Sequence, residues 1–134
     1  MPFVQVHTSC AVLPAARRVL GLALAKAYAK HMQTSDRIVN VGFVHYEPGD
    51  LARYDAPGDE PQEMTIVTCE IRIGRTAGMQ EQLGRAITVT CARELGIPEA
   101  RIAVYLSEHA AHQIYRDGGR APEWSAAEGS AGAH

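Results

Sequence analysis

Cysteine is scarce in this chain, and the three that occur, Cys10, Cys69 and Cys91, form no CxxC pair. So odd and scattered a set gives neither a disulfide framework nor a thiolate metal site. Two of the three fall in apolar periodic stretches and are expected to be buried free thiols, which points to a reducing, cytoplasmic setting. A basic surplus is also missing: 13 Lys and Arg face 15 Asp and Glu, for a formal net charge of −2. That excludes the electrostatic footprint of a nucleic-acid binder. No apolar run reaches the ~18 to 20 residues that cross a bilayer, so no membrane partner is expected. The first ten residues, MPFVQVHTSC, lack the basic start and apolar stretch of a secretory signal. What remains is 134 residues at 46% hydrophobic and 21% charged, enough for one domain with a real core.

The pattern along the chain repeats. Residues 2–8 alternate Val4 and Val6 against Phe3, Gln5 and His7, which suits a strand. Pro14 fits the first turn of a helix running to about residue 34, with Ala16, Leu20, Ala23, Leu24 and Ala27 as its apolar stripe. A second strand is expected over 37–46, followed by a loop over 47–63 whose turn signals are Pro48-Gly49-Asp50 and Pro57-Gly58-Asp59. The sequence then restarts. A β-branched strand over 64–72 leads to Thr76 as an N-cap, and Met79, Leu83, Ile87, Cys91 and Leu95 form an i, i+4 row. The row stops at Gly96-Ile97-Pro98, and a last strand over 101–108 places Ile102, Val104 and Leu106 on one face. The expected fold class is therefore α/β: two βαβ units forming a four-stranded sheet, with both helices on one face. The other face stays bare, which predicts self-association through it. Residues 1–124 make the domain, and 125–134 (SAAEGSAGAH) read as a small, polar, disordered tail.

Several residues could carry chemistry. Pro2 follows the initiator Met, and removal of Met before a small residue would expose a secondary amine. An α-amino group titrates near ~7.7 to 8.0, and nearby cations or an apolar pocket would lower it into the working range of a general base. Arg72 and Arg75, at a strand end and the turn into a helix, could form a carboxylate-binding corner or be two solvated arginines. Tyr105 points away from the apolar set of its strand, toward a substrate oxygen or a subunit interface. Asp117, before Gly118-Gly119, is a turn carboxylate whose default partner is local backbone. His109 and His112 lack a third ligand at a natural spacing, so no metal is expected.

Taken together, a post-Met Pro, Arg72-Ile-Gly-Arg75 and the stretch ELGIPEARIAVYLSE resemble the tautomerase superfamily, in particular the branch of cis-3-chloroacrylic acid dehalogenase. The resemblance spans roughly residues 2–124. It implies a homotrimer of βαβ-βαβ subunits with no cofactor and a pocket built on the N-terminal proline. Pro2 would be the catalytic proline, Arg72 and Arg75 the carboxylate-binding arginines, and Tyr105 the pocket tyrosine. The branch has a histidine on its first helix where ungapped counting places Tyr28 here, with His31 one turn on. Its water-activating Glu falls at Arg116 without a gap and at Asp117 with a one-residue insertion. Asp is one methylene shorter, a difference that can misplace a water.

The resulting expectation is a cofactor-free tautomerase acting through Pro2 on a small 2-oxo/enol or unsaturated carboxylate. Arg72, Arg75 and Tyr28 would face the substrate, and Tyr105 would orient an oxygen. The alternatives are a hydratase or hydrolytic dehalogenase of 3-substituted acrylates, which requires Asp117, and a non-catalytic trimeric binding protein of the same fold.

Overall fold

The computed structural model describes residues 2–131 other than Ala56 and Asp59. The elements in chain order are β1 (Phe3–Thr8), α1 (Pro14–Met32), β2 (Asn40–His45), β3 (Ala52–Arg53), β4 (Gln62–Glu63), β5 (Thr65–Arg72), α2 (Ala77–Leu95), β6 (Ile102–His109), β7 (Tyr115–Arg116), β8 (Gly119–Arg120) and α3 (Ala127–Ala131). The main sheet has the order β2-β1-β5-β6. β1 and β2 are parallel, β5 and β6 are parallel, and the two halves meet antiparallel along β1 and β5. Each parallel pair is joined through its own helix, as a βαβ crossover requires.

Both helices cover the same sheet face. Val4 and Val6 of β1, Val67, Cys69 and Ile71 of β5, and Ile102 of β6 bury themselves against Leu20, Leu24, Tyr28 and Met32 of α1 and Leu83, Ile87 and Cys91 of α2. On α1 the four form an i, i+4 row, as Leu83, Ile87 and Cys91 do on α2, so each helix presents one stripe to the sheet. Each fully buried large aliphatic side chain contributes ~1.5–3 kcal/mol relative to exposure. The stripe expected on α1 is displaced at its start: Ala16 is exposed, and burial begins at Leu20. The first turns of α1 are exposed, and there alanine's helix propensity suffices without packing. α2 starts where its sequence signal places it, with Thr76 Oγ1 accepting from Met79 N at 3.1 Å.

The register sets the opposite face. Phe3, Gln5 and His7 align with Asn40, Gly42 and Val44 on one side; Ile66, Thr68 and Glu70 align with Ala103, Tyr105 and Ser107 on the other. These residues are half-buried or exposed, with Phe3 36% and Tyr105 60% exposed. Among the described residues neither α1 nor α2 packs there, and the face mixes apolar and polar side chains instead of being apolar throughout.

Three expectations are corrected. The second strand starts at Asn40, not residue 37, because Asp36–Ile38 form a 3-10 turn capped by the Ser35 hydroxyl. The 47–63 loop carries a short antiparallel pair, Ala52–Arg53 against Gln62–Glu63. Of the tail expected to be disordered, residues 132–134 lie outside the described residues, and the part before them contains α3, held by contacts that no local pattern encodes: Glu128 reaches Arg72 and Thr34.

Candidate active site

Pro2 directly precedes β1 and is buried. Its carbonyl accepts from Asn40 N at 2.9 Å and from Asn40 Nδ2 at 3.5 Å, which fixes the chain start against β2. On its other side the antiparallel register pairs Phe3 with Glu70. Continuing that register sets Pro2 beside Ile71 and one strand step from Arg72. The first residues of β1 and the last of β5 thus meet at one corner, which the C-terminal end of α1 also reaches.

Both arginines are buried there, Arg72 at 3% exposure and Arg75 at 5%. Arg75 is held by backbone: Nε and Nη2 donate to the Met32 carbonyl at 3.0 and 2.9 Å, and Nη1 donates to the Arg72 carbonyl at 3.1 Å. Its guanidinium lies 4.4 Å from the ring centroid of Trp124, a cation–π contact. Burial pulls its pKa down to about 10, which still leaves it cationic at neutral pH. Arg75 therefore supplies fixed positive potential and holds the C-terminal ends of α1 and β5 together. The turn between the arginines needs glycine. Gly74 has φ +133°, and a Cβ there would stand 3.0 Å from Cε3 of Trp124.

Arg72 is engaged differently. Nη1 donates to the Pro122 carbonyl at 2.7 Å, and Nη2 donates to the carboxylate of Glu128, which also accepts from the Thr34 hydroxyl. Burial works against the charge on Glu128, but hydrogen bonds from Arg72 and Thr34 and the charges of both arginines outweigh it, holding the carboxyl below its ordinary range. Tyr28 is 1% exposed, and its hydroxyl donates to the Glu70 carbonyl at 3.0 Å. Burial raises the phenol well above its ordinary pKa despite the opposing charge of Arg75, so it remains a neutral donor. His31, one turn on, is half-buried, with its pKa lowered by burial and by Lys30.

Within one chain, Pro2, Tyr28, Arg72 and Arg75 converge on this corner. Tyr105 and Asp117 are elsewhere. Tyr105 pairs with Thr68, four residues before Arg72, or about 13 Å back along the strand. Asp117 is exposed at the tip of the β7–β8 hairpin. It has φ +53° and Gly118 has φ +80°, the two positive values of a two-residue hairpin turn.

The sequence reading missed Glu128 and Thr34. The usable signal was that Glu128 is the one acidic residue in a tail of small residues. It also missed a second pair: His109 Nε2 donates to the Glu70 carboxylate. The pair opens into a cleft of about 570 Å³ on the uncovered face, lined also by Phe3, Asn40, Ile114 and Tyr115. Cys69 and Cys91 are fully buried, and burial raises both thiols to about 12, so neither is a nucleophile. Among the described residues no group of three or more His, Cys, Asp or Glu is placed to hold a metal. No described helix is long and apolar enough to cross a membrane.

No protein-family profile and no curated protein sequence matches the chain. Solved structures do. A member of the cis-3-chloroacrylic acid dehalogenase family aligns at TM-score 0.79 with 23% identity, covering 90% of this chain and 84% of its own. A fused 4-OT solved as a symmetric trimer aligns at 0.77 with 21% identity, covering 89% and 94%. A malonate semialdehyde decarboxylase, described with decarboxylase and hydratase activities, aligns at 0.72 with 16% identity, covering 88% and 92%. A macrophage migration inhibitory factor from Toxoplasma gondii is also similar, at 0.73 and 18%. These neighbours share the tautomerase fold, and this chain has that fold.

Proposed function

We propose that the chain is a cofactor-free tautomerase that uses the amine of Pro2, freed of Met1, to move a proton on a small 2-oxo/enol or unsaturated carboxylate. The observation that carries this reading is the buried corner where Pro2 lies one strand step from Arg72, a guanidinium that already holds a carboxylate. In such a site an arginine and a substrate carboxylate form charge-assisted bonds about twice as strong as neutral ones. Arg75 adds positive potential, which stabilises charge developing on an enolate oxygen. The Tyr28 hydroxyl is committed to the Glu70 carbonyl, so its part is to keep the strand end in place and one wall of the corner neutral. A neutral Pro2 amine would take a proton from an enol oxygen or from one carbon and deliver it to another carbon of the same substrate. This needs only a proton carrier and an anion clamp.

Hydration or dehalogenation needs one further part, a carboxylate within ~2.6–3.2 Å of the attacking water. The test assays the parent and Asp117→Asn with an enolpyruvate and with a 3-haloacrylate. The enol acid is expected to be turned over by both within about tenfold, and the haloacrylate poorly by the parent and not by the variant. Vigorous hydration by the parent that vanishes in Asp117→Asn would replace the tautomerase reading with the hydratase one. Turnover of neither substrate would leave a binding protein.

The assembly we propose is a homotrimer with the uncovered sheet faces turned inward. Two features support it: neither long helix covers the open face among the described residues, and Tyr105, remote from its own corner, is exposed and would complete a neighbour's. Light scattering at micromolar concentration is expected to give three times the 14.5 kDa chain mass. A stable monomer would remove Tyr105 from the mechanism.

A further inference from the structure

The last described segment of the chain occupies the arginine corner. Pro122 gives its carbonyl to Arg72, Trp124 lies on Arg75, and Trp124 Nε1 donates to the Gln33 carbonyl at 3.0 Å. Glu128 then places its carboxylate between Arg72 and Thr34. Gly129 seals the contact: a Cβ there would meet the Gln33 carbonyl carbon and Cα, both at 3.0 Å, so only glycine lets the tail settle this closely on the end of α1. These contacts come from separate residues and agree on one docked position.

We propose that the C-terminal tail is a tethered ligand of the arginine corner, with the Glu128 carboxylate filling the place of a substrate carboxylate until the tail withdraws. The inference rests on the reading of Arg72 as the substrate clamp and adds what competes for it. It also indicates the size of anion that fits. The occupant is a carboxylate on a two-methylene stem, so a three-carbon monocarboxylate is the smallest free molecule that reproduces it. Tethering gives the side chain a high effective concentration, so a free ligand would bind with its intrinsic affinity reduced by the fraction of chains whose tail is open. The latch is built to yield. α3 has five residues, too few to be stable as a helix away from the corner.

The probe is propionate. Its binding would be followed through the Arg72 Nε–H signal by NMR and through the fluorescence of Trp124, the chain's one tryptophan. Two variants open the latch by unrelated means: Glu128→Gln removes the competing charge, and Gly129→Val wedges the tail off Gln33 without touching Arg72, Thr34 or Glu128. Both are expected to bind propionate at least tenfold more tightly than the parent. In the parent, saturating propionate should shift Trp124 fluorescence toward that of Gly129→Val. Equal affinity in parent and variants would overturn the inference while leaving Arg72 as a carboxylate clamp. Weaker binding in both variants would also overturn it, making Glu128 a constituent of the site. Absence of propionate binding in all three would remove the carboxylate clamp itself, and the inference with it.

Discussion

Arg72→Ala is expected to lower kcat/KM for carboxylate substrates by roughly 10²-fold or more. Hydrogen bonds to charged groups contribute ~1.5–3 kcal/mol each, and a guanidinium can make two in parallel, so losing the fork costs several kcal/mol of binding. Arg72→Lys would keep the charge and lose the fork, and should recover only part of the loss. The same substitution acts on the fold in a limited way. Removing one member of a buried ion pair usually strands the other, at ~3–5 kcal/mol. Here the stranded group is Glu128, on a terminal segment that can swing into water, so the thermal midpoint should fall only slightly while the tail becomes protease-sensitive. Unchanged kinetics in Arg72→Ala would make the arginine a fastener for the tail and nothing more.

Pro2 should be more demanding. A chain that keeps Met1, or carries any residue ahead of Pro2, has an amide where the reaction needs an amine, and its turnover should fall to background. Pro2→Ala, processed to a primary amine, should lose ~10²–10⁴-fold, the usual contribution of a general acid–base group. The sign of the amine's titration tests its role. Burial and the nearby guanidiniums both disfavour the protonated form, so an NMR titration is expected to find the amine below the ordinary ~7.7–8.0. The activity of a base rises as pH climbs through that depressed value. An amine titrating above the ordinary range would act as a proton donor, the role required for adding water to an activated double bond.

The parts of this molecule legible in its sequence are those built from neighbouring residues. Period-two alternation marked β1, the i, i+4 row marked α2, and Thr76 and Gly96 marked its ends because capping is local chemistry. The repetition of strand, helix and strand along the chain then indicated the sheet and the placement of both helices. Residues 37–39 misled because Ile38 and Val39 look like strand, whereas the Ser35 hydroxyl, by capping Arg37 N, draws them into a turn. The candidate corner was legible only in outline. Pro2, Arg72, Arg75 and Tyr28 could be named, but not how the arginines are occupied. Arg75 spends its donors on the Met32 carbonyl, 43 positions away, and Arg72 meets Glu128 at a separation of 56. Contacts at that range have no periodicity, and a tail of Ala, Gly and Ser shows no apolar stripe to betray its docking.

The antiparallel meeting of β1 and β5 carries a consequence for stoichiometry. Phe3 and Thr65, Pro14 and Ala77, and Asn40 and Ile102 each open corresponding elements of the two halves, so the subunit has an approximate internal two-fold axis between the central strands. Such an axis generates two corners, diagonally opposed on the sheet. At one stands Pro2; at the other, in the equivalent position, stands Met64. The nitrogen of Met64 is an ordinary amide within the chain and donates to the Leu51 carbonyl at 3.1 Å. Its lone pair is delocalised into the neighbouring carbonyl and cannot accept a proton, and its hydrogen bond holds it in place. Under the proposed role of Pro2, each chain therefore has one candidate nitrogen for proton transfer where its symmetry offers two corners. The second corner, lined by Ser9, Glu63, Met64 and Arg101, is free of the demands of proton transfer.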